Sequence, residues 1–271
     1  MTTNPTDELG PSAVFDVTRI RDGKPSDFAA TVATEVPLTI EAGDVEIATL
    51  ACTPSDIEEL IAGFLVTNGF VRDVNEIMSV RLDSRLWRVR VEMTRPPDAS
   101  QLLKRVYTSG CGKGVVFANI VELTARAPLA SEMRLKGEAI AALMNWLQNA
   151  SPLHRESGGV HTAAVSVGGE PPLKAMDDIG RHNAVDKAIG DAFRRRLPMS
   201  SCALVTTGRI SSEIAHKARR AGMPVVISRG APTHQAILQA RDMGITTVGF
   251  ARGGNYTIFS HPERITHEDV R

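Results

Sequence analysis

The second half of the chain alternates short apolar segments with amphipathic segments, and this alternation limits its possible folds more than any other feature. Short runs rich in Val, Leu, Ile and Ala predict strands over 161–167, 173–176, 203–206, 225–228 and 246–250. The segments between these strands predict helices over 182–196, 211–221 and 232–243, and Gly222 and Gly244 are typical of helix ends. Strands that alternate with helices are typical of a mainly parallel sheet with crossover helices. We therefore expect an α/β architecture here.

The first half has a different pattern, which predicts an N-terminal α+β domain. Alternating residues predict strands over 14–20, 36–40, 45–52, 78–82 and 86–92. Thr53-Pro54-Ser55-Asp56 predicts the start of a helix with Pro54 at its first position, and Asn68-Gly69 predicts its end. We expect a flexible tail over 1–12, an α+β domain over 13–127 that ends in the Cys111 loop, and an α/β domain over 128–271.

Composition argues against several classes of function. Lys plus Arg and Asp plus Glu each total 31, so the net charge of +0 provides no general field for a nucleic-acid backbone. The aromatic content of 4% is low for base stacking. We find no secretory signal and no apolar run long enough for a bilayer. Three scattered cysteines form neither a disulfide framework nor a zinc motif, so we expect a cytoplasmic protein that binds neither nucleic acid nor a membrane.

Polar loops follow four of the predicted strands, and we expect them to meet at one edge of the sheet. They are Asp177–Asn183, Thr206–Arg209, Ser228–Gly230 and Arg252–Asn255. Ligands of open α/β sheets bind beyond the carboxyl ends of the strands. Guanidinium groups at Arg209, Arg229 and Arg252 suit a phosphate-bearing ligand. No loop matches a Walker A or GxGxxG motif, which argues against ordinary mononucleotide or dinucleotide binding.

Cys111 is the cysteine whose surroundings favour chemistry. It lies in Tyr107–Gly114, a glycine-rich loop that runs into an apolar stretch over 115–123, which we interpret as helical. A helix N-terminus and the ammonium of Lys113 would both favour the thiolate. A nucleophile or sulfur carrier needs this form.

The other cysteines and the histidines fit less specific interpretations. Cys52 ends an apolar strand and Cys202 begins one, so we expect both to be buried and without chemistry. His161 and His182 lie in polar glycine-rich segments, and either could act as a base for Cys111. Each could equally brace a turn or cap a helix.

Taken in order, several blocks of the sequence resemble the FdhD family of formate dehydrogenase accessory sulfurtransferases. The most specific is Asp178-Ile-Gly-Arg-His-Asn-Ala-Val-Asp-Lys187. The others are Glu35–Leu38, Thr53–Leu65, Gly158–His161, Gly208–Glu213, Ser228, Pro232–Thr233 and Gly249–Arg252. The resemblance extends from about residue 14 to residue 265.

The resemblance implies a sulfurtransferase with a cysteine persulfide intermediate. Such a protein takes sulfur from a cysteine desulfurase and delivers it to molybdenum in bis(molybdopterin guanine dinucleotide), the cofactor of formate dehydrogenase. It also implies a cytidine-deaminase-like C-terminal domain and a homodimer. The deaminase zinc signature is missing, because Thr162-Ala163 follows His161. We therefore expect no metal held by the protein itself.

By the resemblance Cys111 carries the persulfide and Phe250–Asn255 bind the cofactor, or a guanine nucleotide in its place. Together with the polar loops, this gives ten candidate cofactor-binding residues: Phe250, Ala251, Arg252, Gly253, Gly254, Asn255, Arg209, Ser228, His182 and Asp178.

The chain departs from the family at one place. Many members have a CxxC pair in the loop, whereas Gly112, Lys113 and Gly114 follow Cys111 here. A relay through a single cysteine is compatible with this loop. Two other interpretations stay open: a non-catalytic chaperone that escorts the molybdenum cofactor, and a Cys-dependent hydrolase with His161 or His182 as its base.

Overall fold

The computed structural model describes residues 9–95, 97 and 127–267, together with the backbone of 105–107 and 115–117. The first element is an antiparallel hairpin of β1 (Ser12–Arg21) and β2 (Lys24–Ala33). Asp22 and Gly23 make its turn, both at positive φ. The sequence predicted the first strand only. Strand β1 begins at Ser12, the last residue of the expected tail.

A four-stranded sheet and one helix follow, as the α+β pattern predicted. The strands are β3 (Val36–Ala42), β4 (Val45–Cys52), β5 (Ile77–Asp83) and β6 (Arg88–Met93), in the order β4-β3-β6-β5. Helix α1 (Ile57–Asn68) begins after Asp56 and ends at Gly69, which has a φ of 78°. Pro54 therefore precedes the helix, and the prediction that it occupies the first helical position is wrong.

Two short strands lie on either side of the Cys111 loop in the sequence. They are β7 (Arg105–Tyr107) and β8 (Val115–Phe117), and they pair antiparallel. The interpretation of 115–123 as helical is therefore wrong at its beginning, where β-branched and aromatic residues favour a strand. A helix beginning at Val115 can no longer be invoked to stabilise a thiolate at Cys111. Cys111 and Lys113 themselves lie outside the described residues.

The C-terminal half forms a six-stranded sheet with mixed strand directions. Its strands are β10 (His161–Val167), β11 (Met176–Asp178), β12 (Cys202–Thr206), β13 (Val225–Ser228), β14 (Thr246–Arg252) and β15 (Asn255–Ser260), and beside it β9 (Leu135–Lys136) pairs with β16 (Ile265–Thr266). The order is β11-β10-β12-β13-β14-β15. Two neighbouring pairs of this sheet, β12 with β13 and β13 with β14, are parallel, and the other three are antiparallel.

The expectation of a mainly parallel sheet is thus wrong, although α/β is correct. The strand predicted over 173–176 is displaced toward the N-terminus, because β11 begins only at Met176. Strand β11 pairs antiparallel with β10, as β12 does. Strand β15 was not predicted. A two-residue turn, Gly253-Gly254, folds it back antiparallel on β14, so it lacks the intervening helix by which the other strands were separated.

Helices cover both faces of the six-stranded sheet. They are α2 (Gly137–Ala150), α3 (Pro152–Ser157), α4 (Arg181–Arg194), α5 (Ser212–Ala221) and α6 (His234–Met243); single turns of 3₁₀ helix occupy 74–76, 199–201 and 262–264. The predictions of α4, α5 and α6 are confirmed to within two residues at each end, and α2 and α3 were missed. None of the helices in the described ranges is both long enough and apolar enough to span a lipid bilayer.

The two faces of the sheet belong to two separate buried clusters. Along β12, Cys202 and Leu204 belong to the cluster with α1, α4, α5 and α6, whereas Ala203 and Val205 belong to the cluster with α2. This follows from the alternation of side chains along a strand. Because both faces are covered, the polar ends of the strands are the part of the sheet left to form a ligand site.

Helices α1 and α4 cross in very close contact. A Cβ atom built on Gly63 would lie 1.8 Å from the backbone oxygen of Asp186, and one built on Gly190 would lie 1.9 Å from that of Glu59. Two glycines therefore allow the backbones to meet. One buried cluster joins the two halves of the chain here, while the division into domains at residue 127 stays a prediction.

Candidate functional site

The polar loops converge at one edge of the six-stranded sheet, as predicted. The amide of Thr207 donates to the carbonyl of Thr162 at 2.9 Å, and the amide of Arg229 donates to Thr206 at 3.2 Å. The amide of Phe250 donates to Gly230 at 3.1 Å. These backbone bonds connect the ends of β10, β12, β13 and β14 in series, so the edge is one continuous surface.

Glycines at this edge allow the loops to approach closely. A Cβ atom on Gly208 would lie 2.7 Å from the Cβ of Arg181, and one on Gly230 would lie 3.2 Å from the Cα of Arg209. Larger residues would separate the loops. The side chains of Arg209, Arg229 and Arg252 remain exposed along the edge, where guanidinium groups can contact a phosphate.

Ser228 is buried and positions two of the loops. Its hydroxyl donates to the carbonyl of Gly208 and accepts from the amide of Gly230 at 2.9 Å, and its exposed fraction is 0%. The hydroxyl of Ser228 is therefore engaged by the two loops in this structure, and its direct contact with a ligand stays a prediction.

Asp178 is likewise enclosed and fully bonded. Its carboxylate pairs with the ammonium of Lys187 at 2.8 Å, both side chains being 0% exposed. It also accepts from the amides of Thr53 at 3.1 Å and Gly180 at 2.8 Å, and from the side chain of Asn183 at 3.0 Å. Asp178 therefore anchors the start of α4 to the N-terminal half, and its predicted contact with the cofactor stays a prediction.

His182 lies at the start of α4 with a side-chain exposure of 16%. Its Nε2 is 3.1 Å from the hydroxyl of Ser211 and 3.3 Å from a carboxylate oxygen of Glu213. Burial, and then the nearby Lys217 and Arg181, lower the pKa of His182 to about 3. The imidazole is therefore neutral at neutral pH and can accept or donate a hydrogen bond at the site.

His161 faces the same edge from β10. Its pKa is lowered from the ordinary value, first by burial and then by Arg181 and His154. Both candidate bases are therefore neutral near pH 7. Because Cys111 lies outside the described residues, neither histidine can be placed relative to the thiol.

The turn between β14 and β15 is the most exposed part of the site. Phe250 has a φ of 55°, which is uncommon for a bulky residue, and its side chain is 46% exposed. Gly253 and Gly254 have φ values of 57° and 79°. Residues 252–255 are exposed, whereas Ala251 is 1% exposed and packs in the core. The predicted segment is thus one accessible ribbon, apart from Ala251.

Helix α2 forms a wall beside this turn that the sequence analysis missed. A groove of about 360 Å³ separates the two, with Ile140, Met144, Asn145 and Gln148 on the helical side. The apolar spacing of Ile140, Leu143, Met144 and Leu147 is the signal that could have predicted the helix.

The two described cysteines are poor nucleophiles. Cys52 and Cys202 are each 0% exposed. Burial raises the pKa of Cys52 to about 12 and that of Cys202 to about 11. Both thiols are thus protonated at neutral pH, as expected for structural cysteines. Within 9–95, 97 and 127–267, no group of three or more His, Cys, Asp or Glu residues is placed to hold a metal ion.

Comparison with known proteins matches residues 33–266 to the model of the FdhD/NarQ family. The chain belongs to the FdhD/NarQ family. A relative from Bacillus subtilis (strain 168), named sulfur carrier protein FdhD, is 39% identical over 256 residues, covering 94% of this chain and 97% of the relative. Another of the same name from Staphylococcus haemolyticus (strain JCSC1435) is 38% identical over 251 residues, with 92% and 95% coverage.

The FdhD/NarQ fold is also found in a crystal structure. A Desulfotalea psychrophila protein, described as a formate dehydrogenase accessory protein, superposes with a TM-score of 0.77 at 28% identity. The alignment covers 94% of this chain and 99% of that one. The family resemblance proposed from the sequence motifs is therefore confirmed.

Proposed function

We propose that this FdhD/NarQ protein is a sulfur carrier that accepts persulfide sulfur on Cys111 and transfers it to molybdenum in bis(molybdopterin guanine dinucleotide). The relatives' name supports sulfur carriage. The observation that carries the assignment to Cys111 is the burial of Cys52 and Cys202, with pKa values raised to about 12 and about 11. Of the three cysteines in the chain, these two are unsuited to attack.

The loading step is thiolate exchange. The Cys111 thiolate attacks the terminal sulfur of a persulfide on the desulfurase, forming a new S–S bond while the desulfurase cysteine leaves as a thiolate. Cys111 then holds a persulfide. Because no second cysteine lies within the Cys111 loop, the relay uses one thiol. In the delivery step the S–S bond of the persulfide would break and Cys111 would leave as a thiolate. The outer sulfur would pass to a reduced molybdenum in the cofactor substrate, whose two electrons would convert it to sulfide.

The sheet edge is the proposed cofactor site. Phe250 provides an exposed ring, Arg209 and Arg252 provide exposed guanidinium groups, and the Gly253-Gly254 turn brings backbone to the surface. These groups suit the pyrophosphate and base of a guanine nucleotide. His182 contributes a neutral imidazole at the edge. Ser228 and Asp178 act through the loops that they position.

The proposal extends to the partners and the setting. A cysteine desulfurase supplies the sulfur, and formate dehydrogenase receives the matured cofactor. The name of the Desulfotalea psychrophila protein supports the second partner. A homodimer in the cytoplasm completes the proposal. Sedimentation of the purified protein tests the homodimer, and a cytoplasmic setting is consistent with a thiol carrier that must be kept reduced.

The deciding experiment loads the full chain with sulfur. With a cysteine desulfurase and cysteine, the peptide that contains Cys111 should gain one sulfur atom by mass spectrometry. Cys111→Ser should fail to activate formate dehydrogenase while it retains its melting temperature. Cys202→Ala is the matched control and should remain active, because Cys202 is a buried small hydrophobe.

The results also separate the rival functions. A Cys111→Ser variant that still matured the dehydrogenase would overturn the relay and favour a chaperone that only escorts the cofactor. Loss of an amide- or ester-cleaving activity in that variant, without sulfur loading of the parent, would instead favour a hydrolase.

A further inference from the structure

Two groups on α5 approach the same ring nitrogen of His182. Its Nε2 lies 3.1 Å from the hydroxyl oxygen of Ser211 and 3.3 Å from Oε2 of Glu213. Ser211 is the N-cap of α5, and Glu213 lies in the first turn of that helix. The side chains of His182 and Glu213 are 16% and 11% exposed. Because water reaches these side chains poorly, each polar atom depends on a partner within the protein.

The carboxylate of Glu213 is only loosely paired with a cation. The ammonium of Lys217 lies 3.9 Å from its Oε1. Lys217 instead donates to both carboxylate oxygens of Asp186, at 2.9 and 2.8 Å, and to the hydroxyl of Thr67 at 3.2 Å. The charge of Lys217 is therefore neutralised mainly by Asp186, and Glu213 is the weakly compensated acid of this group.

One oxygen of Glu213 requires a hydrogen-bond donor. Within the described part of the chain, Oε2 is buried and accepts no well-aligned hydrogen bond. An unpaired carboxylate oxygen inside a protein is costly. The Nε2 of His182, 3.3 Å away, can supply the donor after a small rotation of the ring. Because a carboxylate only accepts, this bond requires the ring proton to be on Nε2.

His182 lies where its other ring nitrogen can serve the sheet edge. The residue before it, Arg181, contacts the loop that carries Arg209, since a Cβ atom on Gly208 would lie 2.7 Å from the Cβ of Arg181. The contacts of the ring with α5 involve Nε2. Neutral imidazole has one donor and one acceptor nitrogen. With the proton on Nε2, the acceptor is Nδ1.

We propose that Glu213 is a positioning residue, which holds the ring proton of His182 on Nε2 and leaves Nδ1 as a hydrogen-bond acceptor for the ligand. The ligand part of this assignment rests on the proposed function. The ligand group that His182 meets is then a donor, such as a hydroxyl or an N–H group, because two acceptors do not bond. Phosphate oxygens are left to the exposed arginines.

Two simpler roles for Glu213 predict different behaviour. An acid in the first turn of a helix interacts favourably with the helix dipole, and Lys217, four residues later, could form a structural ion pair with it. Either role would make Glu213 stabilising without any effect on the ring proton of His182. The tautomer of His182 and the melting temperature therefore separate these roles from positioning.

The test locates the ring proton of His182 by ¹⁵N NMR of the full chain at pH 7, with His182→Gln to assign the signals. We expect Nε2 to be protonated in the parent. In Glu213→Ala, the hydroxyl of Ser211 can donate to Nε2 without competition from a carboxylate. The ratio of the Nε2–H to the Nδ1–H tautomer should then fall by about tenfold, the value of one hydrogen bond. Glu213→Gln should largely restore the parent ratio, because its amide oxygen still accepts.

Two matched variants serve as controls. Ser211→Ala keeps the carboxylate and should keep the proton on Nε2. Glu138→Ala removes an exposed acid from the first turn of α2 and should not change the tautomer. Glu213→Ala should nearly retain the parent's melting temperature, because Lys217 keeps Asp186 as its partner. A large loss of stability with an unchanged tautomer ratio would show a structural role and overturn the proposal, as would a proton on Nδ1 in the parent.

Maturation of formate dehydrogenase tests the ligand part. It should fall several-fold with Glu213→Ala and recover with Glu213→Gln. Full maturation by Glu213→Ala despite a shifted proton would overturn the contact between Nδ1 and the ligand. Sulfur loading of the parent is measured separately, so its failure would refute the proposed function while the tautomer result would still decide the role of Glu213.

Discussion

Cys52 and Cys202 lie inside the protein, and burial disfavours the thiolate of both. Burial also lowers the pKa values of His161 and His182 at the sheet edge, because it disfavours imidazolium. Both histidines therefore remain neutral near pH 7. The fixed positive charges are the guanidinium groups of exposed arginines.

Native alkylation should distinguish the three thiols. We expect iodoacetamide at pH 8 to modify Cys111 far faster than Cys52 or Cys202, whose pKa values are about 12 and about 11. Lys113→Glu should slow the reaction at Cys111, because it replaces a cation that favours thiolate. Mass spectrometry of the peptides measures the rates, and denatured protein provides the control. Rapid native labelling of Cys52 would contradict the assignment.

The low pKa of His182 makes stability depend on pH. In the unfolded chain His182 takes up a proton near pH 6.5, but in the folded protein only near pH 3. The unfolded state thus binds more protons between these values, and the free energy of unfolding falls as the pH drops through that window, by at most about 1.4 kcal/mol per pH unit.

Substitution of His182 by Gln should remove this contribution. In urea titrations at pH 7, 6 and 5, we expect the free energy of unfolding to fall less steeply for His182→Gln than for the parent. Carboxylates titrate in both proteins, so the difference between the two slopes isolates His182. Identical slopes would show that the buried imidazole does not govern the pH dependence.

The buried pair of Asp178 and Lys187 makes removal of either partner costly. Asp178→Ala should lower the free energy of unfolding by about 3–5 kcal/mol, because a buried ammonium is left without its counter-ion. The exposed pair Arg81 and Glu92, with side chains 72% and 54% exposed, provides the comparison. Arg81→Ala should cost under about 1 kcal/mol. Urea denaturation measures both, and similar losses would contradict the distinction.

At the scale of elements, the packing of α1 against α4 depends on glycine. Ala at position 63 would place a methyl group against the backbone of Asp186, which cannot rotate away as a side chain could. Gly63→Ala should therefore destabilise the protein by about 1–3 kcal/mol or more, despite the better helix propensity of alanine.

A matched glycine tests whether the effect comes from the crossing. A Cβ on Gly159 would meet nothing closer than 3.5 Å, and this residue does not have a positive φ. Gly159→Ala should leave the melting temperature nearly unchanged by calorimetry, whereas Gly63→Ala and Gly190→Ala should both lower it. Equal melting temperatures for all three would mean that the helices can separate at little cost.

At the scale of the whole molecule, a nucleotide that binds the folded state should stabilise the protein against unfolding. At a GDP concentration 100 times its Kd, the expected gain is about 2.7 kcal/mol. Arg252→Ala should weaken GDP binding by about 1.5–3 kcal/mol for a charge-assisted contact. Calorimetry measures the affinity, and Lys24→Ala in the distant hairpin is the control. Equal affinities for the parent and Arg252→Ala would show that Arg252 does not contact the nucleotide.

Local sequence by itself determined the elements with a strong pattern and the residues at their ends. The sequence predicted helices α4, α5 and α6, the hairpin of β3 and β4, and the polar loops after β12 and β13. These features depend on neighbouring residues, through side-chain spacing, caps and turns. The convergence of the loops on one edge followed because strand ends meet when strands run parallel.

Tertiary structure alone decided which polar residues stay exposed at the sheet edge and which are bonded inside it. Ser228 and Asp178 have the residue types of a binding site, but their oxygens are bonded to Gly208, Gly230, Thr53 and Lys187. The place of α2 beside the β14–β15 turn likewise depends on a contact between Gly137 and Tyr256, far apart in the chain. Whether a polar side chain is buried, and which groups it bonds to, depends on residues distant in sequence, so no local pattern encodes these properties.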